Sequence, residues 1–573
     1  MSSTQPDDKL IIFQLLPRLF GNPNPRNKYY GSIEENGCGK FNDISDKALQ
    51  EFKTMGFTHV WYTGVIEHAT MTDYSAYGIK LDDPDVVKGR AGSPYAVKDY
   101  YDVDPDLAVD VKKRMAEYEG LIQRTHANGL KVIMDFIPNH VARTYNSDAK
   151  PNGVRDFGAD DNKTKAFDPE NDFYYTPGQA FVVPKSYNPG GDDFWSPQKD
   201  GFFDEKPAKA TGNDRFVSNP SLNDWFETVK LNYGVDYLDN CKKYFDPIPP
   251  LWNKMFDILT FWSAKGIDGF RCDMVEMVPV EFWGWVIPKL KTKYPALIFI
   301  GEAYSVEKYN RYIEDGKFDY LYDKVGLYDA IRKLTYGQWD TTTWEINQVW
   351  NRDTKGIDNH MLRFMENHDE QRVASKYFGS NAWKGVPGMI ITATMNTGPV
   401  MVYSGQEVGE PGGGFEGFSN DDGRTTIFDY WGVPEHQKWL NNGQFDGGQL
   451  SDDQKKLREF YIKLLNLCRQ NEAIRIGRFW ELMLACQHQE GFDERMYVYV
   501  RFTENKRVLV VTNFNAESRK FQVLFPADLL ELFNLNGAVE FTDLMGSGKS
   551  NTNDIAQGVS VELPAFGGLI LQF

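Results

Sequence analysis

Apolar runs of strand length alternate with helix-like segments through most of the chain. Each run is bounded by turn residues, and each is followed by a segment whose apolar residues recur at helical spacing. This alternation is typical of βαβ units, which build a parallel sheet. From the amino terminus, the runs and their helices are Leu10–Leu16 with Lys47–Met55, Thr58–Tyr62 with Leu107–Asn128, and Lys131–Phe136.

The alternation stops after His140. From Val141 to about Phe245 the chain is rich in Asn, Asp, Gly, Pro and aromatic residues, lacks periodicity, and is too long for an ordinary loop. We therefore expect an inserted irregular domain after strand three. The pattern then resumes with a helix at Leu251–Ala264, a strand at Gly266–Arg271, a helix at Glu281–Lys291, a strand at Ala296–Ile300, and strand and helix pairs at Phe318–Leu321 with Leu327–Thr335, Met361–Met365 with Asn381–Thr394, and Pro399–Tyr403 with Gln454–Gln470.

Both parts together give eight strand and helix units, the number that closes into a (β/α)8 TIM barrel. After about Arg475 the chain changes to alternating runs such as MYVYVRF, RVLVVTNF, KFQVLF, VSVELP and GGLILQF, which predict an antiparallel β-sandwich. The predicted domains are the first part of an α/β barrel at 1–140, the inserted domain at 141–245, the second part of the barrel at 246–474, and a carboxyl-terminal β-sandwich at 475–573.

Composition excludes several classes of function. The formal charge is −18 and no basic run is present, so a nucleic-acid partner is not expected. Five widely spaced cysteines without a CxxC pair predict reduced thiols rather than a disulfide framework or a zinc site. The first residues, MSSTQPDDKL, lack a signal-peptide pattern, and no apolar run is long enough for a membrane span. We therefore expect a cytoplasmic protein, or a periplasmic or secreted one if a leader was trimmed.

Acidic residues stand at the ends of four predicted barrel strands, where the active sites of such barrels lie. A single acid at a strand end is usually structural, as a helix cap or a partner of Arg. Four acids delivered to one rim favour catalysis instead. The segments are DFIPNH with Asp135, GFRCD with Asp273, GEAY with Glu302, and FMENHD with Asp369.

Glycosidic cleavage needs one ionised carboxylate and one protonated carboxylic acid on either side of the bond. Arg271 precedes Asp273 by two residues, so both side chains point to one side of the strand, and we expect Arg271 to keep Asp273 ionised as a nucleophile. Glu302 is then the acid, with a pKa raised by the charges of Asp273 and Asp369. We then expect Asp369 to stabilise the positive charge that develops at the anomeric carbon.

The segments DFIPNH, GFRCD, GEAY and FMENHD, in this order, resemble the four signature regions of the α-amylase family of retaining glycoside hydrolases. The resemblance extends from IIFQLLPRLF through SPYAVKDYYDVDP and GPVMVYSGQEVG to DGRTTIFDYW, and so covers the barrel. It implies that Asp273 is the nucleophile, Glu302 the acid/base and Asp369 the transition-state stabiliser. The same resemblance implies that the sugar in subsite −1 is contacted by Tyr95, Asp135, His140, Arg271 and His368.

The resemblance implies a retaining hydrolase of α-1,4-linked glucans or maltooligosaccharides. Two departures keep alternatives open, namely a transglycosylase, an isomerase or an α-1,6-acting glucosidase. Many endo-acting members carry a Lys-His pair shortly after the nucleophile, whereas here Asp273 is followed by Met274, Val275, Glu276 and Met277. In the insert, NPSLN resembles a fifth signature region of the family, whose variants help distinguish α-1,6-acting from α-1,4-acting members. Ser221 of this segment fits neither common form. A non-catalytic barrel, retained for binding or assembly, is disfavoured. Such relatives characteristically lose a catalytic carboxylate, whereas Asp273, Glu302 and Asp369 are all present here.

Calcium is the expected cofactor. By resemblance, Asn139 matches a position that binds structural calcium in many members, and the insert offers Asp156, Asp160 and Asp161 as further oxygen ligands. The NPNPRN loop matches a second calcium loop in placement, with Asn22, Asn24 and Asn27 where carboxylates are usual. The alternative is that Asn139 hydrogen-bonds the insert without a metal.

Overall fold

A computed structural model describes residues 9–418, 420–546 and 548–573. Its centre is a closed barrel of parallel strands, in which each strand pairs with the next along the chain and the last pairs with the first. The α/β barrel prediction is confirmed. The strands are β1 (Ile11–Leu15), β2 (His59–Tyr62), β3 (Lys131–Phe136), β4 (Gly269–Cys272), β5 (Ile298–Gly301), β6 (Tyr320–Tyr322), β7 (Met361–Phe364) and β8 (Val400–Tyr403).

A helix follows each barrel strand and covers the outside of the barrel. The first of these helices, Asp46–Met55, shows why the sequence forms a helix there: the Ser45 side chain caps its first turn by accepting from the Ala48 amide, and Gly56 ends it in the left-handed region at φ +104°. The principal helices are α1 (Asp46–Met55), α2 (Arg114–Ala127), α3 (Pro250–Ala264), α4 (Val280–Lys293), α5 (Tyr309–Glu314), α6 (Asp329–Tyr336), α7 (Val386–Thr394) and α8 (Asp452–Gln470).

Three helices begin later than the sequence predicts, α6 by only two residues, at Asp329 instead of Leu327. α2 was expected from Leu107, but Pro105–Leu107 and Val111–Lys113 are separate 3-10 turns. The side chains of Asp104 and Asp110 accept backbone N–H groups at the start of these turns, and such local hydrogen bonds compete with a continuous helix. α7 likewise follows a 3-10 turn at Ala382–Gly385 instead of starting at Asn381.

Strand register places the ends of β3, β4 and β5 side by side. Cys272, the last residue of β4, pairs with Phe136 of β3 on one side and with Gly301 of β5 on the other. The residues that follow, Asp273 and Glu302, therefore leave neighbouring strands at the same level. Apart from Lys131 and Ile298, where β3 and β5 begin, the residues of these three strands are buried, so the barrel interior is a packed core that fixes this rim.

Residues 141–249 between β3 and α3 contain no helical segment and consist mostly of turns and irregular backbone, with a few short strand pairs. One pair connects the stretch to the barrel rim, because His140–Ala142 runs antiparallel to Thr228–Lys230. A second rim element, Ile66–His68, pairs with Val97–Val103 in the connection after β2. The remaining pairs are Tyr175–Thr176 with Ala208–Lys209, and Val235–Asp236 with Lys242–Lys243.

The carboxyl-terminal region forms two antiparallel sheets that enclose a separate apolar core. The strands are β9 (Arg478–Glu481), β10 (Met496–Phe502), β11 (Arg507–Asn513), β12 (Arg519–Val523), β13 (Val539–Asp543), β14 (Lys549–Thr552), β15 (Val559–Leu563) and β16 (Gly567–Gln572). The larger sheet has the order β9-β10-β11-β16-β13-β14, and β12 pairs with β15 in the smaller one. The sequence did not predict β9, β13 and β14.

A buried arginine connects this region to the barrel. Arg501 of β10 is 2% exposed, and its guanidinium donates to the carbonyl oxygens of Met395, Ala473, Ile474 and Gly477. Burial lowers the pKa of Arg501 to about 10. The larger sheet is therefore held to the segment after α7 and to the end of the barrel domain. Within the described residues, no helix has the length and apolar character needed to cross a bilayer.

Candidate functional site

An open cavity of about 280 Å³ lies at the carboxyl end of the barrel strands. It brings together five of the residues singled out in the sequence, which come from three barrel strand ends, the connection after β2 and the start of the insert. These residues are Tyr95, His140, Asp273, Glu302 and Asp369. The wall of the cavity is completed by Lys88, Ser93, Trp225, Glu227, Thr228, Met274, Tyr304, Phe418, Ile427 and Phe428.

Arg271 is the fully buried centre of the acidic cluster. Its Nη1 lies 2.9 Å from Asp273 Oδ1 and 3.3 Å from Asp135 Oδ1, while Nη2 lies 2.7 Å from Glu302 Oε1. Its Nε donates to Tyr322 Oη at 3.2 Å. One guanidinium thus contacts three carboxylates from neighbouring strands. Its planar group also lies 5.3–5.5 Å from the ring centres of Trp61, Tyr95 and Tyr322.

Glu302 is held by two hydrogen bonds in addition to Arg271. Its Oε2 accepts from the Met274 amide at 2.9 Å, and its Oε1 accepts from Tyr304 Oη at 2.8 Å. Met274 has φ +42°, an uncommon backbone conformation for a residue with a side chain, and such strain is concentrated at functional sites. Glu276, in the segment after the nucleophile, accepts from the Tyr304 and Ser305 amides and so shapes the loop after β5.

His368 connects Asp369 to the aromatic wall. Its Nε2 lies 3.0 Å from Asp369 Oδ2 and 2.5 Å from Tyr95 Oη, and Gln14 Nε2 contacts its other nitrogen, Nδ1, at 2.8 Å. The Tyr95 and His368 rings are stacked with centroids 5.2 Å apart. On the opposite side, Asp135 Oδ2 accepts from the indole N–H of Trp61 at 2.9 Å.

The acids of the cavity differ in electrostatic environment. Burial and the charge of Glu302 raise the pKa of Asp273 well above its usual range, and Arg271 opposes this shift. The expectation that Arg271 keeps Asp273 ionised is therefore incomplete, because Arg271 is shared with Glu302 and Asp135. Burial also acts to raise the pKa of Asp369, but His368 and Arg271 outweigh it and lower that pKa to about 2. Asp369 is thus the carboxylate most firmly held ionised.

An ammonium group occupies the neighbourhood of Asn139 where calcium was expected. Lys230 Nζ donates to Asn139 Oδ1 at 2.6 Å, lies 2.7 Å from Asp214 Oδ1, and contacts the Met277 carbonyl oxygen at 3.1 Å. Lys230 is 1% exposed. Because the ammonium already contacts the oxygen that calcium would need, the residues present at Asn139 do not fit a metal ion. Asn139 Nδ2 also lies 3.1 Å from His140 Nδ1.

The second expected calcium loop is likewise satisfied by its own hydrogen bonds. Asn22 Oδ1 accepts from the Asn24 amide, Asn24 Oδ1 accepts from the Arg26 amide, and Asn27 Oδ1 accepts from Gly432 N. The neutral side chains of Asn22 and Asn24 close local turns, and Asn27 contacts the backbone of a distant segment at Gly432. In the insert, Asp160 pairs with Arg155, Asp156 accepts from the Ser147 amide, and Asp161 accepts from the amides of Asp172 and Phe173.

Sequence reasoning missed several cavity residues. Tyr304 could have been found, because it lies two residues after Glu302 and so faces the same way in an extended segment. Trp225, whose ring centre is 5.3 Å from that of His140, and Glu227 come from the insert, where no periodicity marks the inward face. Lys88 packs over the Phe428 ring at 4.5 Å, a contact between distant segments.

Comparison with known proteins agrees with this geometry. Residues 14–477 match the family model described as alpha amylase, catalytic domain. Similar curated proteins include Alpha-amylase 3 of Dictyoglomus thermophilum, with 21% identity over 92% of this chain and 89% of the relative. Oligo-1,6-glucosidase of Parageobacillus thermoglucosidasius has 21% identity over 90% of this chain and 91% of the relative. An alpha-1,4-glucan:maltose-1-phosphate maltosyltransferase of Picrophilus torridus has 21% identity over 91% and 67%.

Solved structures with the same fold include the maltogenic α-amylase AmyB of Thermotoga neapolitana, at a TM-score of 0.60 with 19% identity, covering 98% of each chain. The α-amylase of Geobacillus thermoleovorans, solved with acarbose, has a TM-score of 0.61 and 18% identity over 99% of this chain and 98% of that one. These similarities establish the barrel and the carboxyl-terminal sheet arrangement as a known fold.

Proposed function

Because the chain belongs to the alpha-amylase family of glycoside hydrolases, we propose that it is a retaining α-glucoside hydrolase that cleaves α-1,4-linked glucans or maltooligosaccharides. The observation that carries this proposal is the contact of one buried guanidinium with Asp273, Glu302 and Asp135 on the floor of an open cavity. That arrangement supplies two adjacent carboxyl groups, which double displacement at an anomeric carbon requires.

In the first step, a carboxylate oxygen of Asp273 forms a bond to the anomeric carbon while the glycosidic bond breaks. Glu302 transfers its proton to the leaving oxygen, so the product leaves as a neutral alcohol and Glu302 becomes a carboxylate. Asp369, which His368 and Arg271 keep ionised, stabilises the positive charge that develops on the sugar ring.

In the second step, Glu302 accepts a proton from water as the water oxygen attacks the anomeric carbon, and the bond to Asp273 breaks. Tyr304 and the Met274 amide keep Glu302 in position through both steps.

The second candidate function is that of a transglycosylase or an α-1,6-acting glucosidase. One contact near the nucleophile supports this alternative. Glu276, in the segment where many endo-acting members have a Lys-His pair, is turned to the amides of Tyr304 and Ser305. Trp225 and Glu227 of the insert line the same cavity. The names of the relatives include hydrolases of both kinds and a transferase.

Product analysis distinguishes these activities. The enzyme is incubated with maltoheptaose, and with amylose, pullulan, panose, sucrose and trehalose, and the products are resolved by length. Only shorter products from maltoheptaose and amylose support α-1,4 hydrolysis, whereas products longer than maltoheptaose support transfer. Cleavage of panose with no action on maltoheptaose would replace the proposal by an α-1,6-acting glucosidase.

A further inference from the structure

Three carboxylates that the proposed reaction does not use converge where the connection after β2 meets the insert. Glu67 of strand Ile66–His68 is paired directly with Asp99 of strand Val97–Val103. Asp148 reaches them from the first residues of the insert. An oxygen atom from each of the three carboxylates lies within 4.8 Å of the other two. Like charges placed opposite each other in a strand pair are destabilising unless something compensates them.

Glu67 is the member that needs compensation. It is 1% exposed, and neither of its carboxylate oxygens has a hydrogen-bond partner among the described residues. A buried ionised carboxylate without a partner is strongly unfavourable. Burial raises the pKa of Glu67 well above its usual value; Lys98 opposes the shift, and the charges of Asp99 and Asp148 add to it.

The neighbouring groups with positive charge pair with other carboxylates, Asp148 of the cluster among them, and not with Glu67. Lys98 Nζ lies 3.0 Å from Asp82 Oδ2, and Arg114 Nη2 is 2.5 Å from Asp102 but 3.5 Å from Asp148. Asp99 differs from Glu67, since its oxygens accept from Ser147 Oγ and from the Ala149 and Tyr101 amides. The unsatisfied atoms of the cluster are therefore those of Glu67, and they face two further carboxylates.

We propose that Glu67, Asp99 and Asp148 bind a calcium ion. Calcium is coordinated by oxygen ligands at about 2.3–2.6 Å, so two ligands of one ion lie at most about 5 Å apart, and the 4.8 Å limit of this cluster fits that spacing. Asp148 is exposed and gives the ion a path from solvent. The ion would connect the rim strands to the start of the insert, at a place distinct from Asn139 and the NPNPRN loop.

The experiment uses the full-length protein, freed of metal with EDTA and dialysed. Calcium binding is measured by isothermal titration calorimetry, and the melting temperature is recorded with and without calcium. We expect one calcium ion per chain and a higher melting temperature in its presence, because a ligand that binds only the folded state stabilises it. Glu67→Gln, which keeps the size of the side chain, should weaken calcium binding at least tenfold.

Asp148→Asn provides a second variant on the exposed side of the cluster, where folding is least at risk, and should also weaken binding. Glu490→Gln removes the same charge from an exposed position in the carboxyl-terminal region and should bind calcium like the parent. Two results would overturn the proposal: no calcium binding by the stripped parent at millimolar calcium, or unchanged binding in both Glu67→Gln and Asp148→Asn.

Discussion

Replacing Lys230 by Met tests whether the buried ammonium holds the insert to the barrel. The substitution keeps most of the side-chain volume and removes the charge that contacts Asn139, Asp214 and Met277. Asn139 Oδ1 and the Met277 carbonyl oxygen would lose this donor, at about 1–3 kcal/mol for each buried acceptor left unsatisfied. Asp214 is more than a third exposed, so water compensates that carboxylate.

The loss is partly offset, because the variant no longer buries an ammonium. Burial lowers the pKa of Lys230 although Asp214 opposes the shift, which shows that the charged form bears a desolvation cost. We therefore expect a net loss of about 3 kcal/mol, within the range for breaking a buried charged contact. At about 2 cal/mol/K of unfolding entropy per residue, this loss lowers the melting temperature by about 2–3 °C if the chain unfolds cooperatively.

Calorimetry measures that shift, and limited proteolysis of the insert measures local opening. A local loss of about 3 kcal/mol predicts cleavage faster by about a hundredfold, if cleavage follows the opening equilibrium. Lys163→Met, at an exposed position of the same insert, is the matched control and should behave like the parent. Equal melting temperatures and equal cleavage rates in Lys230→Met and Lys163→Met would show that the ammonium contributes nothing to this joint.

Three further predictions concern catalysis and pH. Asp273→Asn should fold normally and lose about 4–6 kcal/mol of transition-state stabilisation, or several orders of magnitude in kcat; activity within tenfold of the parent would exclude Asp273 as the nucleophile. Glu302→Gln with an α-glucosyl fluoride should lose the alkaline limb of the pH profile, and azide should restore turnover; a retained alkaline limb would exclude Glu302 as the acid. Burial lowers the pKa of His436 to about 4, so as pH falls the unfolded chain binds this proton first, and His436 alone should cost about 2 kcal/mol of stability between pH 7 and 5. The buried His59, His68 and His140 add to the same slope. His436→Gln should therefore make the slope shallower by about 2 kcal/mol over this range in denaturant titrations, and an unchanged slope would contradict the assignment.

The barrel was predictable because its determinants are local. Each strand is a short buried run, and the acids that follow β4 and β5 are adjacent in the chain to the residues whose register aligns them. Helix starts were less predictable, since capping by Asp104 and Asp110 replaced the first part of the expected second helix with turns. β13, with the sequence VEFTD, is half polar and gives only a weak strand pattern.

The charges around the site were not predictable, because they depend on contacts between distant residues. Lys230 lies 91 positions after Asn139, and no local pattern marks it as the partner of that amide. Glu67 and Asp99 meet only because their strands pair with an irregular register. The insert contributes Trp225 and Glu227 to the cavity through segments that lack periodicity, so their inward direction follows from the folded chain alone.

The buried guanidinium of Arg501 makes it difficult to separate the barrel from the terminal sheets. Its donors end on carbonyl oxygens of the segments after α7 and α8, so a chain cut before β9 would expose backbone acceptors that now have a charged donor. The barrel therefore depends on the terminal sheets for these hydrogen bonds. A chimera that replaces the terminal sheets has to supply an arginine at the position of Arg501. For the same reason, heating should unfold the two regions in a single transition instead of two.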